Sequence, residues 1–297
     1  AGGKLDVTGA VLATVGLAGL TYGLISAGDH GFGDPMVLVS FAIGVAAFVG
    51  FIEAERRGTH PMLPLSIFGN VRFTGANLVT VVVYGALGTA TFLVVVYLQT
   101  GLGYSALRAG ASLLPMTILM LALSGYAGGL ADRIGARIPM TVGPLLMGGG
   151  FLLMLRISPA GNYFADVLPA VLLLGLGLVA TVAPLTSTVL SSVEDHHAGI
   201  ASGVNNAVAR SAQLMAVAAI PMAAGITGDA YRNPAAFHDG FGKALWISAV
   251  LAVAGGGIAW ITLGDRSKVR PVHVEHHTHC AVEAPPYAAP QPQREAR

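Results

Sequence analysis

Eight apolar stretches, close to the length of a bilayer crossing, dominate this sequence. They lie at roughly residues 7–26, 36–52, 73–99, 109–131, 138–155, 167–193, 198–226 and 244–263. An α-helix needs about 20 mostly apolar residues to cross the hydrocarbon core, within a range of about 17–25. The second and fifth stretches sit at the short end of that range, and the seventh is interrupted by Arg210. Polar and apolar residues do not alternate along them, which excludes a membrane β-barrel. Only 10% of residues are charged and 54% are hydrophobic, against roughly 25% charged in a soluble domain. Eight buried helices would leave too little polar surface to hold this chain in water. The fold class is therefore all-α integral membrane, with the lipid bilayer as its solvent.

The remaining charge is informative by position. A net charge of +1 gives no basis for nucleic-acid binding. The segments that share a side with the N-terminus carry Lys4, Arg56, Arg57, Arg72, Arg133 and Arg137, and the C-terminal tail adds more. The opposite side carries Arg108, Arg156, Arg232 and Lys243. Lys and Arg accumulate on the cytoplasmic side, so both termini are expected in the cytoplasm, and the protein in the cell membrane.

The link between the fourth and fifth spans reads Gly128-Gly129-Leu130-Ala131-Asp132-Arg133-Ile134-Gly135-Ala136-Arg137. Glycines permit a tight reversal. Asp132 is placed to cap the following helix or to meet its dipole. A charged turn obeying the cytoplasmic bias is the plain alternative. The pattern nevertheless resembles the G-x-L-a-D-r-x-G-r signature of the major facilitator superfamily, at Gly128, Leu130, Ala131, Asp132, Arg133, Gly135 and Arg137. In that family the signature joins the second and third helices of a six-helix half, on the cytoplasmic side. Spans three to eight place it there.

The first two spans resemble the extra helices that separate the halves in the fourteen-spanner drug:proton antiporter group, with Leu5-Asp6-Val7-Thr8-Gly9-Ala10 similar to the entry into the first of them and Leu63-Pro64-Leu65-Ser66-Ile67-Phe68, followed by Arg72-Phe73, similar to the junction into the second half. Gly199-Ile200-Ala201-Ser202-Gly203 through Arg210 resembles the start of that group's penultimate helix. The organisation implied is two linker helices and a link over 1–72, a C-terminal transporter half over 73–264, and a tail over 265–297. Six N-terminal spans would then be missing, and the start at Ala1 fits a fragment. Gly143-Pro144 and Gly148-Gly149-Gly150 read as a kink and a close-packing surface, not as an antiporter motif.

Arg210 is the sharpest functional candidate, because a charge within a span costs at least a few kcal/mol and is usually aimed at a cavity or partner. Asn206, Arg210 and Gln213 share one helical face, with Asn205 beside them. A structural hydrogen-bond anchor, or an arginine reaching the nearer interface, is the competing reading. Asn77, Tyr84 and Thr91 repeat at seven residues and form a second polar face, suited to lining a mostly apolar path or to bonding neighbouring helices. Tyr97 and Gln99 are expected at the outer interface. No acidic residue lies deep in a span, so proton coupling needs groups outside this chain.

The tail is rich in proline and polar residues and is expected to be disordered. Its His276, His277, His279 and Cys280, with His273 and Glu275, have metal-ligating chemistry but match no defined zinc spacing, so no metal or other cofactor is expected. The resemblance implies proton-coupled efflux of small hydrophobic or cationic compounds by a pair of halves, and not an enzyme. The alternative is a truncated, non-transporting membrane protein or partner subunit.

Overall fold

The computed structural model describes residues 6–58, 63, 65–158, 161–194 and 197–264. The His/Cys cluster of the tail lies outside them. Nine α-helices are present among the described residues: α1 Val7–His30, α2 Pro35–Arg57, α3 Val71–Thr100, the short α4 Ala106–Ala111, α5 Leu114–Ile134, α6 Arg137–Met154, α7 Leu168–Ser191, α8 Ala198–Ala223 and α9 Pro234–Thr262. Polar side chains set several of the starts. Asp6, Asp34, Asn70 and Asn233 each accept from a backbone N–H in the first turn of α1, α2, α3 and α9. Pro35 and Pro234 occupy the first helical position, where a missing N–H costs nothing.

Each of the eight stretches is helical. Seven helical segments, with α4 and α5 counted as one, are long and apolar enough to cross a membrane. The eighth, α8, runs for 26 residues but is diluted by its asparagines, Arg210 and Gln213. Two boundaries differ from the sequence reading. The span at 109–131 breaks at Ser112–Leu113, where Pro115 restarts a helix as α5. The last span begins ten residues earlier than expected, at Pro234, because Phe237 and Phe241 bury one side of that amphipathic turn. Its other side carries an Asp239–Lys243 pair at 2.6 Å.

Among α3 and α5–α9, α6 packs against α7 and α9, and α3 against α8 and α9. Small residues bring the backbones together. A Cβ on Gly143 would lie 2.7 Å from the Gly177 carbonyl and on top of the Thr181 hydroxyl; one on Gly177 would lie 2.6 Å from the Gly143 carbonyl. With Pro144 inside α6, this is the close-packing surface expected from the sequence. The core continues through Met147, Phe151, Met154 and Leu174. At the outside of the bundle, Leu121, Tyr126 and Ile261 are at least 79% exposed, a surface suited to hydrocarbon.

Interhelical bonds mark the two ends. At one end, Asn70 Nδ2 donates to the Ser192 carbonyl at 2.7 Å, joining the start of α3 to the end of α7. At the other, Tyr163 Oη donates to the Ser112 carbonyl at 3.1 Å. Tyr97 also sits there, but inside the bundle rather than at an interface. It stacks on Phe241 with centroids 4.5 Å apart and shares a 2.6 Å hydrogen bond with His238 Nδ1. Gln99 only bonds back to the Val95 carbonyl.

Helices α1 and α2 form a hairpin of their own, closed by Gly19 against the backbone of Gly44. Glu55, at the end of α2, is buried and accepts the Leu63 N–H at 2.9 Å, which fixes the start of the link to α3. The far end of α1 meets the turn after α8: Gly28 lies beside Thr227, and burial, reinforced by the Asp29 carboxylate, holds the Tyr231 phenol above its ordinary pKa.

Candidate functional site

The glycine-rich loop turns at one residue. Helix α5 runs through Asp132 and Arg133 to Ile134, Gly135 takes φ 86°, and α6 begins at Arg137. Only glycine adopts that conformation without strain. The N-cap of α6 is Ala136, with no side-chain cap. Asp132 therefore does not cap the following helix as the sequence suggested: α5 continues past it and leaves the carboxylate on the last turn. That is the electrostatically unfavourable end for an anion. Asp132 is exposed and has no hydrogen bond or ion pair among the described residues. Leu130 is half exposed. Gly128 lies opposite Ala183 of α7 at ordinary contact distance.

Arg137 does structural work. Its Nε donates to the Trp260 carbonyl at 3.0 Å, and its guanidinium stands 3.9 Å from the Trp260 ring centroid. It thus caps the end of α9 from the start of α6. This interaction was not apparent in the sequence, because no local pattern signals a pairing between residues 123 positions apart.

A second site lies between α3, α7 and α8. Tyr84, Val182, Thr186, Ser202, Asn206, Arg210 and Gln213 line a cavity of about 230 Å³. Four of the sequence candidates meet here: Tyr84, Asn206, Arg210 and Gln213. Arg210 is the thirteenth residue of a 26-residue helix, which puts it about 18 Å from either end at 1.5 Å per residue. Tyr84 is likewise near the middle of α3. Arg210 Nη1 donates to Gln213 Oε1 at 3.3 Å, and both Arg210 and Asn206 are exposed to the open side of the cavity.

Asn77 is placed differently. It is buried, and its Oδ1 accepts from Asn205 Nδ2 at 3.2 Å, while the same amide reaches Thr80 Oγ1 at 2.8 Å. Asn77 and Asn205 thus lock α3 to α8 behind the cavity. Thr91 bonds its own helix at the Leu87 carbonyl. Thr186 and Ser202 join the lining from α7 and α8. Thr186 and Ser202 are legible as polar residues within their spans, but that they meet Tyr84 is a tertiary contact.

Long apolar helices around a polar mid-depth cavity define an all-α integral membrane protein with room for a small molecule. The chain belongs to the Major Facilitator Superfamily, whose sequence profile matches residues 50–217. It is similar to the uncharacterized MFS-type transporter YhcA of Bacillus subtilis (strain 168), at 40% identity over 48% of this chain and 27% of YhcA. It is similar to the cephamycin export protein CmcT of Amycolatopsis lactamdurans, at 35% identity over 68% of this chain and 42% of CmcT. It is also similar to the quinolone resistance protein NorB of Staphylococcus aureus (strain COL), at 26% identity over 84% of this chain and 53% of NorB. The chain thus spans about half, or less, of the length of these curated relatives.

Proposed function

We propose that residues 71–262 form one six-helix half of an efflux transporter that moves small, largely apolar compounds across the cell membrane. The mechanism is alternating access, in which two halves rock about a midplane site. The observation that carries this reading is the mid-depth cavity of Tyr84, Asn206, Arg210 and Gln213, walled by apolar residues of α7. Its volume of about 230 Å³ lies below the usual range for ligand pockets, about 300–1,000 Å³, as suits one wall of a two-walled site. A second half supplies the other wall. Relatives named for cephamycin export and quinolone resistance support the export reading.

Asp132 gains a role in this scheme. An exposed carboxylate on the wrong end of its own helix is free to meet a helix N-terminus of the opposite half and hold the motif end closed. That end, with both chain termini, faces the cytoplasm by its lysines and arginines. Protons are the proposed coupling ion. The cavity lining holds no carboxylate, so the proton-carrying acid belongs to the other half.

The test is proteoliposomes carrying the chain with and without a co-expressed N-terminal half from a relative such as CmcT. A fluorescent amphipathic substrate should move down an imposed pH gradient only when both halves are present. Asp132→Asn should lower that flux about 10-fold at equal protein content. Absence of gradient-driven movement in both preparations would overturn the proposal.

A further inference from the structure

The polar groups of the cavity point to a class of cargo, an inference that rests on that cavity being the transport site. Several of these groups are already committed, among them the Asn205 amide, which donates to Asn77 and Thr80. The Thr186 hydroxyl is spent on the Val182 carbonyl at 3.1 Å, and the Asn206 amide donates to the Ser202 carbonyl at 3.2 Å. Gln213 turns its Oε1 to Arg210 at 3.3 Å, which leaves its Nε2 group as a donor. Arg210 uses one N–H in that contact; a guanidinium has five and accepts nothing. The Tyr84 hydroxyl has no hydrogen-bond partner among the described residues. The lining therefore keeps unspent donors on Arg210, Gln213 and Tyr84 beside the amide oxygens of Asn205 and Asn206, and carries a full positive charge. No Asp or Glu lines it.

A guanidinium midway along α8, bonded to one neutral amide oxygen, meets no carboxylate among the residues of this chain that line the cavity, and a charge within a span is usually aimed at a cavity or partner. Guanidinium forks match carboxylates in geometry as well as in sign. Val182, Val189 and Leu190 beside it offer an apolar wall. We infer that this cavity selects an amphipathic anion, binding a carboxylate at Arg210 and an aromatic or aliphatic body against α7. A purely cationic compound meets only repulsion from Arg210. The sequence expectation of hydrophobic or cationic cargo is thereby narrowed toward carboxylate-bearing cargo.

The experiment uses the chain in phosphatidylcholine nanodiscs, whose lipid carries no net charge. Naphthalene-2-carboxylate, naphthalene-2-carboxamide and 2-naphthylmethylammonium are titrated by calorimetry at pH 7, with empty nanodiscs as the blank. The carboxylate should bind about 10-fold more tightly than either of the others. Arg210→Gln should remove that preference while leaving carboxamide affinity within about twofold, and Arg210→Lys should keep part of it. Equal affinities in the unmodified chain, or a preference that survives Arg210→Gln, would overturn the inference and leave the cavity a binding site. Failure of all three probes to bind would overturn the inference, while the transport reading is tested separately by the two-half flux assay. The three-probe comparison needs no variant, so it stands even if Arg210→Gln does not fold.

Discussion

The α6–α7 seam and the α3–α8 seam belong to the same bundle but are built on opposite rules. Between α6 and α7, glycines remove the side chains and the backbones touch; Gly143 and Gly177 each occupy the space the other's Cβ would need. Between α3 and α8 the buried Asn77 bonds the part-buried Asn205 at the edge of a polar cavity. The dry seam has few ways to rearrange, because packed interfaces shift between discrete arrangements and do not deform smoothly. The wet seam keeps room for a molecule. The difference sets the tight seam of α6 and α7 apart from the cavity, which α3 and α8 line together with the opposite face of α7.

The largest effect should come from filling the dry seam. Gly143→Leu drives a side chain into the Gly177 carbonyl and the Thr181 hydroxyl. Overpacking costs about 1–3 kcal/mol where side chains can yield, and a backbone carbonyl cannot. Size-exclusion chromatography in mild detergent should show almost no monodisperse protein. Gly129→Ala, where nothing lies within 4 Å, should elute like the parent. If Gly143→Leu behaves like that control, the seam is not tight and the contrast between the seams fails.

Asn205→Leu attacks the other seam at its hydrogen bonds. It removes the donor shared by Asn77 Oδ1 and Thr80 Oγ1 and leaves the Asn77 oxygen unpaired in a buried place. Interhelical hydrogen bonds in membranes are worth about 0.6–1.7 kcal/mol, so SDS titration should show a loss of about 1 kcal/mol. A loss as large as that of Gly143→Leu would mean that the polar seam, too, is a rigid element.

Legibility in the sequence divides between local stretches and pairings across the bundle. The helices themselves announce their existence, since a run such as Leu168–Ser191 has only one way to satisfy its backbone in lipid. The turn at Gly135 and the depth of Arg210 were also readable, as both are properties of one local stretch. Pairings across the bundle were not. Arg137 with Trp260, Tyr97 with His238 and Asn205 with Asn77 are separated by more than 120 residues, and nothing in the local pattern fixes which faces meet. The start of α9 was missed for a related reason: Asp239 and Lys243 lower the hydropathy of a turn whose other side holds Phe237 and Phe241 in the core.

The smallest effects lie in the motif loop, and there the two charged residues should move stability in opposite directions. Arg137→Ala removes a hydrogen bond to the last turn of α9 and a cation over the Trp260 ring. At this half-exposed position the loss should be about 1 kcal/mol. Asp132→Asn removes a negative charge from the C-terminal turn of α5, where the helix dipole opposes it, and should stabilise the isolated chain by about 0.3 kcal/mol. The charge at Asp132 thus works against the fold of this half alone. A residue retained for local structure would destabilise when neutralised, as Arg137 should. Paired SDS titrations of the two variants, run at low ionic strength so that the dipole effect is not screened, separate the cases. If Asp132→Asn lowers stability as Arg137→Ala does, the carboxylate is part of this half's own scaffold and its proposed latch to a second half loses its footing.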